Sequence, residues 1–305
     1  NFMNPRFYKM INEILRFNKS SIILLSSDEE ISLGDYLKRE GYSDFFKKYY
    51  ILPMGSAIWS SNIKTMMEFP AKFFIQFFNN HGMLNINDRP QWLTISGGSI
   101  NYVNKMIEPF RKKIKLNQNI KYVERKKDHI AIHHKDRIEK FDWVFFACHS
   151  DEALKLIKSP GLHEKNILKA IPYTDNEVVL HYDDHFMPKR KLAWAAWNYH
   201  IDDNANSPAS LTYNMNILQN LKTEAPLLVT LNPMQKINKK KIIKKLSYAH
   251  PQYSLKSIEA QSKHHLISGV NRTSFAGAYW GNGFHEDGVK SAIDAIEQFN
   301  KVHGY

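Results

Sequence analysis

Ser274-Phe-Ala-Gly-Ala-Tyr-Trp-Gly-Asn-Gly-Phe-His-Glu-Asp-Gly-Val-Lys-Ser-Ala-Ile-Asp-Ala-Ile296 decides the reading of this 305-residue chain. Phe275, Ala276 and Gly277 read as the end of a buried strand. Gly281 and Gly283 allow a sharp turn and a close approach of the backbone to something else. Glu286 and Asp287 then fall in the first turn of a helix, where acidic residues complement the macrodipole. Val289, Ala292, Ile293 and Ile296 follow at helical spacing and predict one apolar face. A strand, a glycine turn and a helix N-terminus together offer N–H groups to an anionic or electron-rich ligand. The same pattern also serves as a tight strand-to-helix connection with no ligand.

Working outward, residues 1–85 read as mostly helical. Phe7, Ile11, Ile14 and Leu15 give a stripe over Phe7 to Phe17, and Ser32 caps a second helix. Met66–Phe78 forms another, in which Pro70 marks a kink or a new start. From residue 86 the character changes. Trp92–Ser96 reads as a short strand, and Gly97-Gly98 leads into a helix over Ile100–Phe110. Asn119–Glu124 and Asp128–His133 alternate as a β-hairpin joined by Arg125-Lys-Lys127. Phe141–Ala147 is a continuous apolar run, as expected of a strand buried on both faces. In residues 151–270 the segments Asn176–Tyr182, Leu192–Asn198, Leu211–Met215 and Leu227–Leu231 read as strands of an antiparallel sheet. The fold class is therefore α+β.

Composition excludes several classes. With 43% hydrophobic and 13% aromatic residues, the chain can bury a sizeable core and is unlike a disordered one. Its longest apolar runs fall far short of the roughly 20 residues of a membrane span. The single cysteine, Cys148, excludes an internal disulfide and fits a reducing, cytoplasmic compartment. The net charge of +12 raises the question of an anionic partner. Its densest run, Lys239–Leu246, reads as a basic surface helix. That helix is either simply solvated or docked on an anionic membrane surface, at the inner membrane face. No nucleic-acid-binding motif occurs.

Few side chains suggest acid–base or metal chemistry. Cys148 and His149 are adjacent, so on a strand they point to opposite faces and pair poorly. A packed, inert thiol is the better reading. His133-His134 and His264-His265 diverge in the same way, and no ligand spacing for a metal appears. Asp183-Asp184 and Asp202-Asp203 read as turn carboxylates. No hydrolase constellation stands out.

Gly283-Phe-His-Glu-Asp-Gly288 resembles the C-terminal flavin-contacting segment of the FAD-dependent amine oxidase-like superfamily, the group of flavin-containing amine oxidases, protoporphyrinogen oxidases and phytoene desaturases. A bacterial branch of predicted NAD/FAD-binding proteins is the nearer likeness. Further matches are Asn4-Pro-Arg-Phe7, Leu52-Pro-Met-Gly-Ser-Ala-Ile-Trp-Ser60, Asn80-His-Gly82, Arg89-Pro-Gln-Trp92, Gly97-Gly-Ser99, Phe146-Ala-Cys-His149, Ala193–Tyr199 and Val229-Thr-Leu-Asn-Pro233. The resemblance covers essentially the whole chain. It implies a helical part of a substrate domain at 1–85, an FAD-domain segment at 86–150, the antiparallel sheet of the substrate domain at 151–270, and the last FAD-domain strand and helix at 271–305.

The resemblance also implies an oxidoreductase that moves a hydride from a C–H or C–N substrate to FAD. Val123 falls at the adenine contact. Ala147 and Cys148 end the strand that approaches the cofactor. Gly277, Ala278, Tyr279, Gly283, Phe284, His285, Glu286, Asp287 and Gly288 line it, with the N–H groups of His285 and Glu286 near the flavin O2 region. Trp59, Trp197, Tyr213 and Tyr279 are the expected substrate side, and no catalytic base is implied. No cysteine matches a covalent flavin attachment, so the FAD is expected to be non-covalent. Two features depart from the pattern. Tyr279 stands where amine oxidases often carry an acidic ribityl contact. The chain also lacks a G-x-G-x-x-G fingerprint and does not begin with Met, which reads as a fragment lacking roughly a hundred residues, about one βαβ unit plus flanks. Relatives of this kind resemble domains fused to, or encoded beside, cyclopropane fatty-acid synthase-like methyltransferases. That association implies a small-molecule or lipid acyl substrate; the alternative is a non-catalytic scaffold or membrane-docking partner of such a methyltransferase.

Overall fold

The computed structural model describes residues 3–304, which hold twelve α-helices and ten strands. In chain order the first elements are α1 (Pro5–Ser20), α2 (Leu33–Arg39), α3 (Asp44–Phe46), α4 (Leu52–Trp59), α5 (Ile63–Met67), α6 (Ala71–Asn80) and α7 (Ile100–Ile107). Next come β1 (Tyr122–Arg125), β2 (Ile130–His133), β3 (Ile138–Phe141), β4 (Val144–Phe146), α8 (Ser150–Leu156) and α9 (Leu162–Lys169). Then follow β5 (Tyr173–His181), β6 (Trp197–His200), β7 (Ser210–Asn214), α10 (Met215–Gln219), β8 (Leu228–Leu231) and β9 (Ile242–Pro251). The chain closes with α11 (Leu255–Ser262), β10 (Thr273–Phe275) and α12 (His285–His303). They form two compact units, Asn1–Pro109 with Thr174–His250, and Phe110–Tyr173 with Pro251–Tyr305. Each unit is thus made of two stretches of chain.

The first unit has a helical part and a sheet. Phe17 of α1, Phe46, Phe69 and Phe74 are fully buried and pack edge-on or tilted around one another. Local signals start the helices as expected. Ser32 Oγ accepts the Asp35 N–H at 3.1 Å. Pro70 begins α6 after α5 has ended at Met67, so it marks a new start. The five-stranded sheet has the order β6-β7-β8-β5-β9, with β6, β7, β8 and β5 antiparallel in turn. One face carries Val178, Leu211 and Leu231, packed with Ala57 of α4. The opposite face carries His181, Thr212 and Thr230, each with no exposed surface.

The second unit holds a meander, β1-β2-β3, and a two-stranded parallel sheet, β10-β4. Phe146 and Phe275 stack at 5.5 Å in a core with Val123, Ile130, Ile157, Ile167 and Leu168. Arg125 is clamped to the buried carboxylate of Glu164, which also accepts the Gly161 N–H at 2.7 Å.

Several sequence expectations are corrected. Residues 92–96 form no strand; Trp92 and Leu93 are exposed and no neighbouring chain pairs with them. The hairpin starts only at Tyr122, because Asn117 and Asn119 are left-handed, a conformation no strand continues through. The 141–147 run is split between β3 and β4, and Phe145 is 43% exposed rather than buried. Leu192–Asn198 opens as a 3-10 turn with Leu192 on the surface; Asn198 bonds Ala195 through both its amide atoms, so the strand begins at Trp197. Lys239–Leu246 is not a helix. It is a 3-10 turn running into β9, where β-branched Ile242 and Ile243 favour extension. The basic surface helix, read as either solvated or docked on a membrane, therefore does not form. No helix among the described residues is long and apolar enough to cross a membrane.

Candidate cofactor site

β4 and β10 run parallel, with Phe275 opposite Phe146 and the Ala276 N–H donating to the Phe146 carbonyl at 2.9 Å. Both strands therefore finish at one edge. Each then feeds a helix: α8 follows Ala147–His149, and α12 follows the turn at 277–284. The carboxyl edge of parallel strands, flanked by helix N-termini, is where such sheets hold ligands. Among the expected cofactor residues, Ala147 and Cys148 lie at the end of β4, and Gly277 and Ala278 at the end of β10. The structure brings these two segments together from positions 130 residues apart.

The turn is built from its own side chains. A Cβ on Gly277 would run into the ring of Tyr279, and one on Gly281 into the carboxylate of Asp287. Gly283 has φ +96, and a Cβ there would meet the Tyr253 hydroxyl at 2.9 Å. The close approach read from Gly281 and Gly283 is thus to Asp287 and Tyr253, and Gly277 makes room for Tyr279 in the same way. Gln261 of α11 ties the turn down, donating to the Tyr279 and Gly281 carbonyls at 2.8 and 2.7 Å. Asp287 caps α12 by accepting the Phe284 N–H at 3.0 Å. Gly288 differs: a Cβ there would touch nothing nearer than the Ala278 nitrogen at 4.0 Å.

The expected apolar face of α12 is corrected as well. Val289, Ile293 and Ile296 are each about half exposed, whereas Ser291 and Ala295 are buried. Small residues let the helix sit close on the turn, and Ser291 Oγ accepts the Gly277 N–H at 2.9 Å. Beneath the turn lie Tyr173, Tyr253 and Tyr279. Burial pushes the Tyr173 phenol up to about 12 and the other two higher still, so all three stay protonated. Tyr173, Tyr253, Gln261 and Ser291 escaped the sequence reading, because no local pattern marks a residue that supports a turn from another element.

Cys148 is half-buried, and burial, then Glu152, pushes its thiol up to about 11. His149 stacks on Tyr173 at 4.3 Å. The thiol is accordingly a poor nucleophile at neutral pH. Val123 is buried in the core of the second unit, and its carbonyl accepts the Lys158 N–H at 3.0 Å. Phe284, His285 and Glu286 are exposed at the start of α12.

Of the expected substrate side chains, Trp197 and Tyr213 are cross-strand partners on β6 and β7, their rings edge-on at 5.5 Å. Trp59 is 4% exposed and sits among Phe69, Phe74 and Phe77 in the helical part. Tyr279 belongs to the other unit. No group of His, Cys, Asp and Glu that could hold a metal occurs among the described residues.

No protein-family model matches the sequence, and no curated protein matches it. Solved structures do. Cyclohexylamine oxidase from Brevibacterium oxydans IH-35A is similar over 98% of this chain and 76% of its own, with a TM-score of 0.62 and 10% identity. A wild-type putrescine oxidase with putrescine bound is similar over 97% of this chain and 76% of its own, with a TM-score of 0.64 and 9% identity. A fatty acid isomerase from P. acnes that produces CLA covers 88% of this chain and 66% of its own, with a TM-score of 0.58 and 14% identity. The chain has the fold of these amine oxidase-like structures, as the α+β reading and the motif resemblance led one to expect.

Proposed function

We propose that the chain acts as an FAD-dependent oxidoreductase of the amine oxidase-like kind, with the flavin held non-covalently against the start of α12. The observation that carries this reading is Gly288. The protein's own packing accounts for the glycines at 277, 281 and 283, but not for this one. A glycine inside a helix costs about 1 kcal/mol relative to alanine, and here no side chain of the chain itself requires it. Bare backbone in the first turn of α12, beside the crossing at Gly277 and Ala278, suits the approach of a flat, electron-rich group.

FAD supplies the electron acceptor in such chemistry. The residues of this chain hold and shape its surroundings. First-turn N–H groups of α12, those of His285 and Glu286 included, favour negative charge near them. Tyr279, Tyr253 and Tyr173 remain neutral and apolar enough to keep water from the underside of the turn. The raised thiol of Cys148 keeps this end of β4 uncharged. Trp197 and Tyr213 are the aromatic pair proposed to flank a small amine or apolar substrate; the fold's likeness to amine oxidases and to a fatty acid isomerase supports both classes.

Flavin titration of the Gly288 variants tests this reading. Alanine fits the space, so Gly288→Ala should stabilise α12 by about 1 kcal/mol. Gly288→Leu should abolish the quenching of FAD fluorescence while leaving the circular dichroism unchanged. Bound flavin should appear in the supernatant after acid precipitation. Unchanged FAD binding by Gly288→Leu, or none by the wild type, would overturn the assignment.

A further inference from the structure

A hydrogen-bonded row crosses the buried polar face of the five-stranded sheet. The Asp183 N–H donates to His181 Nδ1 at 3.0 Å, so the His181 proton sits on Nε2. That nitrogen donates to Thr230 Oγ1 at 2.7 Å. The Thr230 hydroxyl has one acceptor among the described residues, Thr212 Oγ1 at 2.9 Å. Thr212 in turn has His200 Nε2 at 2.9 Å. The backbone N–H fixes His181, and the arrangement that gives each threonine hydroxyl an acceptor then runs one way, Thr230 donating to Thr212 and Thr212 to His200. His200 is left with an unprotonated Nε2 and a proton on Nδ1, and that N–H has no hydrogen-bond partner among the described residues. Burial lowers the basicity of the ring, which keeps it neutral.

The His200 ring lies on this face, edge-on to Phe186 at 6.1 Å. It lines a cavity of about 620 Å³ with Phe186, Met187, Met234 and Lys189. The volume is in the ordinary range for small-molecule sites. No carboxylate is present among the lining residues, and Lys189 makes no ion pair among the described residues. His185, also in the lining, bonds Gln235 at 3.2 Å and closes one side. An apolar wall of Phe and Met, one unpaired ammonium and one oriented neutral N–H describe a receptor for an apolar chain or ring that ends in a carboxylate.

We propose that this cavity binds an amphiphilic carboxylate, with Lys189 opposing its charge, His200 donating from Nδ1, and Thr212 acting as the positioning residue that holds His200 in that tautomer. The proposal uses only the first unit and does not depend on the flavin reading.

Calorimetric titration of the full chain with octanoate, octanol and octylamine tests it. Octanoate should bind about tenfold more tightly than either control, since only it forms charge-assisted hydrogen bonds. Lys189→Ala, a surface change, should remove most of that preference. Thr212→Val should weaken octanoate binding although Thr212 is buried away from the cavity, and Thr212→Ser should restore it. Ring ¹⁵N shifts should report His200 as the Nδ1–H tautomer in the wild type and a mixture in Thr212→Val. Equal binding of octanol and octanoate would overturn the proposal, as would octanoate affinity unmoved by Lys189→Ala, or no binding at all. If Thr212→Val fails to fold, the Lys189→Ala titration and the wild-type ¹⁵N shifts still decide.

Discussion

Of the three sheets among the described residues, the β10-β4 pair and one face of the five-stranded sheet bury opposite kinds of surface. In the second unit the β10-β4 pair is held by an apolar contact, Phe146 stacked on Phe275 above Val123 and Ile157. In the first unit the five-stranded sheet packs one face on Ala57 through Val178, Leu211 and Leu231, but its other face buries polar groups, with Ser210, Thr212, Thr230 and His181 nearly or completely inaccessible. Apolar burial is non-directional and tolerates small shifts. A buried polar row is directional: each member depends on its neighbour, and an orphaned group carries its full desolvation penalty. The first design makes a strand edge firm; the second fixes which nitrogen of a histidine carries a proton. The unit proposed to grip a planar cofactor uses the former, and the unit proposed to select a small ligand by its head group uses the latter.

The largest effect should come from breaking the apolar sheet. Phe275 is fully buried and stacked on one side, so Phe275→Ala should cost about 3–5 kcal/mol. Urea unfolding with the wild-type slope and a lower midpoint would show it, and a loss below 1 kcal/mol would mean that this core is not what holds β4 to β10. Breaking the polar row should cost less. Thr230→Val keeps nearly the same shape but leaves the His181 Nε2 proton without its acceptor, for a loss of about 1–3 kcal/mol. If Thr230→Val proved the more damaging of the two, the polar face, not the apolar one, would be the rigid part of the molecule.

This contrast also explains what could be read from the sequence. The glycine turn and helix at 274–296 were legible because strand, turn and first-turn acids are local signals. Leu211–Met215 was legible as a strand, but its pairing with β6, which sets Trp197 against Tyr213, was not. What a local pattern could not carry was the partner. The glycines at 281 and 283 looked like openings toward a ligand, yet Asp287 and Tyr253 fill them. The α12 stripe of Val289, Ile293 and Ile296 has helical spacing, but the helix packs through Ser291 and Ala295, because small residues allow the closer approach. Lys239–Leu246 has the charges of a surface helix, yet an Asn-capped turn and two β-branched isoleucines place it in a sheet. The polar row was invisible for the same reason: His181, His200, Thr212 and Thr230 become neighbours only through strand register.

Acid offers the finest test of the contrast, because both units bury a histidine but use it differently. Burial pushes His181 and His200 below their ordinary value of 6.5, and burial does the same to His264 in the second unit. A base whose folded-state pKa is depressed binds its proton more readily when unfolded. Stability is therefore complete above about pH 6.5 and declines as the pH falls below that value. The hydrogen bonds set how steeply. His181 Nδ1 and His200 Nε2 act as acceptors, so protonating either ring breaks a bond in the row. His264 uses Nε2 toward the Phe275 carbonyl at 2.8 Å, where it must donate, and a second proton on its other nitrogen leaves that bond intact. Glu124 acts later still: hydrogen bonds from Lys126 and then Lys158 hold its carboxyl down at about 2, so its contribution fades only as the pH drops below about 4.5. Between pH 6.5 and 5 the first unit should thus loosen before the second, seen as ring ¹⁵N and methyl shifts of β5–β8 moving while those of β4 and β10 stay in place. His181→Gln should flatten that early decline, and His264→Gln should leave it unchanged; the reverse pattern would mean that the direction of the hydrogen bonds does not govern how each sheet answers acid.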